Sequence, residues 1–166
     1  MSVKITKDST SAVFNAVRAL TKTDVLIGIP ESAAERGDDA PITNAAIGYI
    51  NEFGSPALNI PPRPHLAPGV KEATGKMVPQ LRAAATVAIE GNAQEVDRRL
   101  NAVGILGVSG VKAKITAGLS PGLSTATLHR RQHRKVAPRM GTQPLIDTGD
   151  YMKHLTYVLR AKGKAK

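Results

Sequence analysis

The first thirty residues change from helical to strand periodicity. Apolar side chains in residues 9–22 recur at Val13, Val17 and Leu20 after a Ser/Thr start, which predicts a short amphipathic helix. The apolar run TDVLIGIP (residues 23–30) is rich in β-forming residues and stops at a proline. It predicts a buried strand.

A polar, Gly/Asp-rich segment at residues 31–41 predicts a loop, and a second helical pattern follows over residues 41–53. Thr43 or Asn44 is suited to cap the start of this helix, and Gly54 is suited to end it. The predicted apolar face consists of Ile42, Ala46, Tyr49, Ile50 and Phe53.

Prolines then dominate residues 55–68. Each proline biases the residue before it toward extended geometry and has no N–H to give to a sheet, so residues 55–66 predict a stiff, extended connector. From Pro68 to about Glu90 the pattern is helical again, and Gly75 with Pro79 predicts a kink or a break.

The longest helical stretch covers residues 92–117 and begins at Asn92. It contains Gly104, Gly107 and Gly110 at a spacing of three, which places them along one helix face. Because glycine has no Cβ, this face predicts close packing against another part of the backbone.

Residues 118–145 show almost no apolar periodicity and predict a long basic loop. Structure returns in residues 144–161, where Asp147 or Thr148 is suited to cap a short helix and LTYVL predicts a strand. Residues 161–166 form a basic tail that we expect to be frayed.

Composition predicts an aliphatic core and a strongly segregated charge. Hydrophobic residues make up 42% of the chain but aromatic residues only 3%, and there is no Trp or Cys. Residues 1–97 carry 9 Lys/Arg and 11 Asp/Glu, whereas residues 98–166 carry 14 Lys/Arg and 2 Asp/Glu. The net charge of +10 therefore lies in the C-terminal part. Two interpretations account for this positive charge: a surface that faces a polyanion, or a basic tail and loop that are simply solvated.

The sequence indicates a soluble protein without cofactor or metal. The start of the chain lacks the pattern of a signal peptide, and the most apolar stretch, Ala102 to Val108, is too short to span a bilayer. Without Cys the chain has neither disulfides nor thiolate metal ligands. By default we expect a cytoplasmic location.

Three short motifs have the appearance of catalytic or binding sites. Asp147-Thr148-Gly149 matches the aspartic-protease tripeptide, but only 17 residues follow it, so we interpret it as a helix cap. His129 and His133 have the spacing of zinc ligands but lie among arginines. GVKEATGK (69–76) is similar to a P-loop, but its first glycine is one residue too far from the second, and Met77 stands where a P-loop has Ser or Thr. We expect no enzymatic activity.

The strongest electrostatic feature is a cluster of basic residues near residue 135. Lys and Arg neutralise phosphates without reading sequence, and no aromatic side chain is interleaved for base stacking. These residues are the predicted DNA-facing set: Arg130, Arg131, Arg134, Lys135 and Arg139.

Two stretches of the chain resemble the small virion-morphogenesis proteins of tailed bacteriophages, of the neck or tail-completion group. NAAIGYINEFGSPALNIPPRPHLAPGV resembles their N-A-x-I-x-x-x-x-E-F-G…I-P-x-R-P-F-L-x-P pattern, and PLIDTGDYMKHLTYVL resembles P-L-x-D-T-G-x-L-x-x-S-I-x-Y. The departures are His65 in place of Phe, Tyr151 in place of Leu and His154 in place of Ser. The resemblance covers roughly residues 24–160.

This resemblance implies a single-domain α+β subunit, with a small, mostly antiparallel sheet packed with helices and with long extended loops or arms. It implies a structural virion protein, made in the host cytoplasm, that forms a ring at the head–tail junction, of six-fold or twelve-fold symmetry. The implied partners are copies of the chain, other neck and tail proteins, and double-stranded DNA in passage. The alternative is a cytoplasmic, non-sequence-specific nucleic-acid-binding protein.

We expect the proline segment to be an arm that docks on a neighbouring subunit, because a pre-stiffened segment loses little entropy on docking. A strap over the subunit's own surface is the alternative. The predicted subunit-interface residues are Asn44, Glu52, Phe53, Ile60, Arg63, His65 and Leu66.

Overall fold

The structure of the protein, a computed structural model, describes residues 9–30 and 42–162. Within them the fold is α+β, with helices packed against a two-stranded antiparallel sheet, as predicted. The predicted loop at 31–41 and the end of the predicted tail, 163–166, lie outside these residues. The elements are α1 (Thr10–Thr21), β1 (Thr23–Gly28), α2 (Asn44–Phe53), a 3₁₀ turn (Pro56–Leu58), α3 (Leu66–Ile89), α4 (Ala93–Ala117), α5 (Thr125–His133), α6 (Asp150–His154) and β2 (Thr156–Ala161).

Helices α3 and α4 form a hairpin that organises the rest of the subunit. The short link between them turns at Gly91, which has a φ of +77°, and Asn92 caps α4 by accepting the N–H of Glu95 at 3.1 Å. The helix backbones approach closely where Gly69 faces Gly110, since a Cβ on Gly110 would lie 2.6 Å from the Gly69 oxygen. The predicted close packing of the glycine face is therefore confirmed.

The sheet lies on α4 at the other two glycines of the same helix. The ring of Tyr157 occupies the space that a Cβ on Gly104 would need, and Ile27 does the same at Gly107. Strands β1 and β2 pair in antiparallel register from 23 opposite 161 to 28 opposite 156. Both predicted strands are confirmed, but Leu26 stays 37% exposed because α4 covers only one face of the sheet.

Apart from Tyr151 the core is aliphatic, as composition predicts, and it has two parts. Around the α1 side it contains Ala16, Ala88, Val96 and Leu100, and around the sheet and α6 it contains Val111, Ile115, Leu119, Tyr151 and Leu155. Small alanines allow α1 to lie close to α3 and α4. No helix within the described ranges is long and apolar enough to cross a bilayer.

Two predicted helices differ in detail from the structure. Helix α1 buries Ala16 rather than Val17, which is 37% exposed. Helix α3 begins at Leu66, not Pro68, and runs without a break through Gly75 and Pro79. Both Gly75 and Pro79 are exposed, so water can satisfy the carbonyl that loses its hydrogen bond at the proline.

The predicted loop at 118–145 contains helix α5. Ser124 caps this helix by accepting the N–H of Thr127 at 3.3 Å. No residue of α5 is buried, so the helix leaves no apolar periodicity in the sequence. Its position comes from polar contacts, which are described below.

Candidate functional site

An open cavity of about 430 Å³ lies between α2, the proline segment, α5 and the chain before α6. Residues of both stretches that carry the phage resemblance line it. Its polar and charged lining consists of Asn44, Asn51, Asn59, Arg63, Ser124, Thr127, Arg131, Arg134, Asp147, Thr148, Asp150 and Tyr151.

Helix α2 turns its polar side inward, opposite to the predicted face. Asn44 and Glu52 are 1% and 7% exposed, whereas Tyr49 and Phe53 are 66% and 67% exposed. The rings of these two aromatic residues lie 5.0 Å apart on the outer surface. Inside, the side-chain amide of Asn44 donates to Asp150 Oδ2 at 2.8 Å and thereby joins α2 to α6.

Glu52 caps the amino terminus of α3 from the neighbouring helix α2. Its Oε2 accepts the backbone N–H groups of His65 and Leu66 at 2.7 and 2.8 Å, and its Oε1 accepts that of Ala67 at 3.0 Å. Burial alone raises the pKa of Glu52, but the three backbone hydrogen bonds outweigh burial and lower the pKa below its ordinary value. A charged carboxylate at this place also interacts favourably with the helix dipole.

Arg63 fastens the proline segment to its own subunit. Its Nε and Nη2 donate to the carbonyl oxygens of Pro121 and Gly122 at 2.6 and 2.8 Å, and its backbone N–H donates to Asn51 O at 2.5 Å. The side chain is only 7% exposed. A planar guanidinium is well suited to hold two successive carbonyl groups at once.

His65 is fully buried and joins the proline segment to α6. Its Nδ1 lies 3.0 Å from Arg63 O and 3.2 Å from Glu52 Oε2, both acceptors, so Nδ1 carries the proton. Nε2 then accepts the hydroxyl of Tyr151 at 2.5 Å. Burial lowers the pKa of His65, although Arg63 O and Glu52 oppose this, and burial with the Glu52 charge raises the pKa of Tyr151.

The basic cluster is divided between internal contacts and solvent. Arg131 donates to Gln143 O at 3.0 Å, and Arg134 holds both carboxylate oxygens of Asp147 at 2.9 and 3.0 Å. These contacts fix α5 against the chain that precedes α6. The members with exposed side chains are Arg130, Lys135 and Arg139.

The structure gives intramolecular partners to most of the predicted interface residues. Asn44, Glu52, Arg63 and His65 are all buried within their own chain and bonded there. A strap over the subunit's own surface, the alternative to an arm, thus accounts for Arg63. Ile60 and Leu66 are half-buried, and Phe53 is exposed.

The cavity's charged side chains already serve one another or the backbone. Asp147 of the Asp-Thr-Gly tripeptide pairs with Arg134, and Thr148 accepts the N–H of Asp150 at 3.2 Å, so Thr148 rather than Asp147 supports α6.

The rings of His129 and His133 stack 4.0 Å apart. Within residues 9–30 and 42–162, no group of three His, Cys, Asp or Glu could hold a metal ion.

Sequence reasoning missed the α6 side of this site. Tyr151 and His154 figure in the sequence only as departures from the phage pattern, whereas His65 is both a departure and a predicted interface residue. In the structure Tyr151 bonds His65, and His154 Nδ1 lies 3.2 Å from the Asn44 amide nitrogen. His65 and Tyr151 are 86 positions apart, and no local pattern in the sequence places them together.

Comparisons with known proteins give no match, whether to a family model, to a curated protein or to a solved structure.

Proposed function

We propose that the chain is a structural protein of the tailed-phage virion that forms a homo-oligomeric ring at the head–tail junction. One observation carries this proposal. The two stretches that resemble neck and tail-completion proteins are about eighty residues apart in sequence, yet they line a single cavity. This shared lining supports the interpretation that the two stretches are parts of one site.

The contacts within this site support a structural rather than a catalytic role. Glu52, Arg63 and Asp147 are each engaged by a helix terminus, backbone carbonyls or a neighbouring charge. General acid–base or nucleophilic catalysis requires a reactive group that faces the substrate. Here the charged groups instead fix the proline segment, α5 and α6 relative to α2.

Exposed aromatic side chains support association with other protein surfaces. The chain contains 2 Phe and 3 Tyr, and three of these five residues are largely exposed: Phe14, Tyr49 and Phe53. Aromatic residues are enriched at the centres of protein interfaces. Exposed aromatic side chains contribute little to the stability of an isolated subunit. In a chain with so few aromatic residues, their exposure is better explained by contacts with another protein surface.

Two measurements test the proposal. Native mass spectrometry and negative-stain electron microscopy of the purified chain should show a closed ring with one stoichiometry. A phage whose copy of this coding sequence carries a premature stop should accumulate filled heads and unattached or unfinished tails. Intact infectious virions from that phage would contradict the proposal.

The nucleic-acid alternative rests on the three exposed basic residues of α5 and the chain after it. It predicts binding of double-stranded DNA that weakens steeply between about 50 and 200 mM salt. Fluorescence anisotropy with Arg130→Gln and Arg139→Gln variants measures this. Tight, salt-dependent binding by a monomer or dimer, with no ring under any condition, would favour the alternative.

A further inference from the structure

The two-stranded sheet has an open edge on each side. Within the described residues, β1 pairs with β2 and neither strand has a second neighbour. Open edges carry unpaired N–H and C=O groups and are templates for pairing with another strand. A two-stranded sheet is also only marginally stable by itself, and additional strands stabilise it.

The direction of the backbone groups follows from one hydrogen bond. Lys162 donates its N–H to Lys22 O at 2.6 Å, which makes this position a hydrogen-bonded pair. Such pairs alternate with non-bonded ones along an antiparallel ladder. The N–H and C=O groups of the intervening residues therefore point away from the sheet. On the β1 edge these residues are Thr23, Val25 and Ile27, and on the β2 edge they are Tyr157, Leu159 and Ala161.

The two edges are complementary to each other. Within the chain, Asp24 lies opposite Arg160, its Oδ1 is 3.8 Å from the Lys162 ammonium group, and Leu26 lies opposite Val158. The same side-chain pairs would form if the outer edge of β1 met the outer edge of β2 in this register. Within one subunit the two edges face opposite directions and cannot meet.

We propose that β1 of one copy pairs antiparallel with β2 of the next copy, in the register used within the chain, so that the sheet continues from subunit to subunit. The occupant is a second copy because the second copy carries the complementary edge, on which Arg160 would lie opposite Asp24. This contact is head-to-tail, and repetition of it closes a ring or extends a filament. The inference rests on the proposed ring and names its subunit contact.

Leu26 and Val158 provide a direct test of this register. Both lie on the face that α4 leaves uncovered, with 37% and 38% exposure. Across the proposed contact they form a non-hydrogen-bonded pair, whose Cα separation of roughly 4.5 Å suits a disulfide. The chain has no Cys of its own, so Leu26→Cys and Val158→Cys each carry a single thiol that can only bond to another chain.

The experiment mixes the two single-cysteine variants, one of them enlarged by a fusion tag, and oxidises them mildly. Non-reducing electrophoresis should show a disulfide-linked species of mixed mass as the main product, with little dimer from either variant alone. Val136→Cys, which lies at an 81% exposed position away from the sheet, replaces Val158→Cys in the control mixture. Circular dichroism confirms that each variant is folded.

The outcomes separate this inference from the proposed function. A ring in native mass spectrometry without the mixed disulfide, or with the Val136 control linking equally well, overturns the sheet contact and leaves the ring. The mixed disulfide without any ring overturns the proposed function and supports the strand pairing. Dimers of Leu26→Cys alone, formed as readily as the mixture, overturn the head-to-tail arrangement.

Discussion

The carboxylate of Glu52 is the most informative group to perturb, because a single side chain holds three elements of the site together. Glu52→Gln preserves the shape of the side chain and removes its charge. Of the three backbone N–H groups that Glu52 accepts, those of His65 and Leu66 share Oε2 and that of Ala67 uses Oε1. A glutamine amide has one oxygen, so at least one N–H then faces an NH₂ group.

The expected loss follows from these contacts. A hydrogen bond to a charged group contributes about 1.5–3 kcal/mol, and a charge at a partly buried helix terminus adds to that. We therefore expect Glu52→Gln to reduce the free energy of unfolding by about 2–3 kcal/mol. For a chain of this size, that loss corresponds to a decrease in melting temperature of about 4–12 °C.

Thermal unfolding followed by circular dichroism between pH 7 and pH 3.5 measures both the size and the origin of the effect. The pKa of Glu52 in the folded state is below its ordinary value of 4.5, so its stabilisation is present above that pH and is lost as the pH falls through the folded-state pKa. The difference between Glu52→Gln and the unaltered chain should therefore narrow in acid.

Glu72→Gln is the matched control. The side chain of Glu72 is 58% exposed and pairs with Lys114 at 2.6 Å, and surface ion pairs contribute little. Equal melting temperatures for Glu52→Gln and the unaltered chain at pH 7 would refute the capping role. A difference that stays constant down to pH 3.5 would refute the role of the charge.

Three further predictions use the same thermal measurement. Gly54→Ala should destabilise by 1 kcal/mol or more, because Gly54 has a φ of +79° and its Cβ would lie 2.9 Å from Pro62 N; an unchanged melting temperature would contradict this. Gly110→Ala should destabilise through the Gly69 backbone, whereas Gly75→Ala, with nothing within 4 Å, should stabilise by up to about 1 kcal/mol; equal effects would exclude the close helix contact. His65→Phe should reduce the free energy of unfolding by about 1–3 kcal/mol. Tyr151→Phe should reduce it by less in the His65→Phe background than in the unaltered chain, and additive losses in the double variant would contradict the contact between the two side chains. The pKa of His65 in the folded state is below 6.5, so as the pH falls below 6.5 the unfolded chain binds a proton before the folded chain does, and stability decreases. His65→Phe should remove this decrease.

Local signals in the sequence were sufficient for most of the secondary structure. The cap of α2 at Thr43 (one of two candidates), its end at Gly54, the start of α4 at Asn92 and the glycine face of α4 each depend on a few neighbouring residues, and each agrees with its prediction. The two strands are also recognisable as β-rich runs, the first ended by a proline and the second followed by the basic tail. Their pairing is antiparallel, as expected for the small sheet.

The burial pattern of α2 was not accessible from periodicity. A helix with apolar residues on one side is expected to bury that side, but Asn44 and Glu52 are inside and Tyr49 and Phe53 are outside. The polar residues can be buried because α3 and α6 supply their hydrogen-bond partners. Those partners are distant in sequence, so only the tertiary structure reveals them.

The proline segment shows the same division between local and tertiary information. By itself the sequence determined that the segment cannot be regular helix or central strand, because proline restricts the backbone and lacks a donor. It did not determine what the segment contacts. Arg63 and His65 turn out to bind Pro121 and Tyr151 of the same chain, and α5 is likewise positioned by arginine contacts to residues ten or more positions away. Propensities act over a few residues, whereas buried polar groups take whichever partners the fold brings within hydrogen-bonding distance, and these partners exist only once the chain is folded.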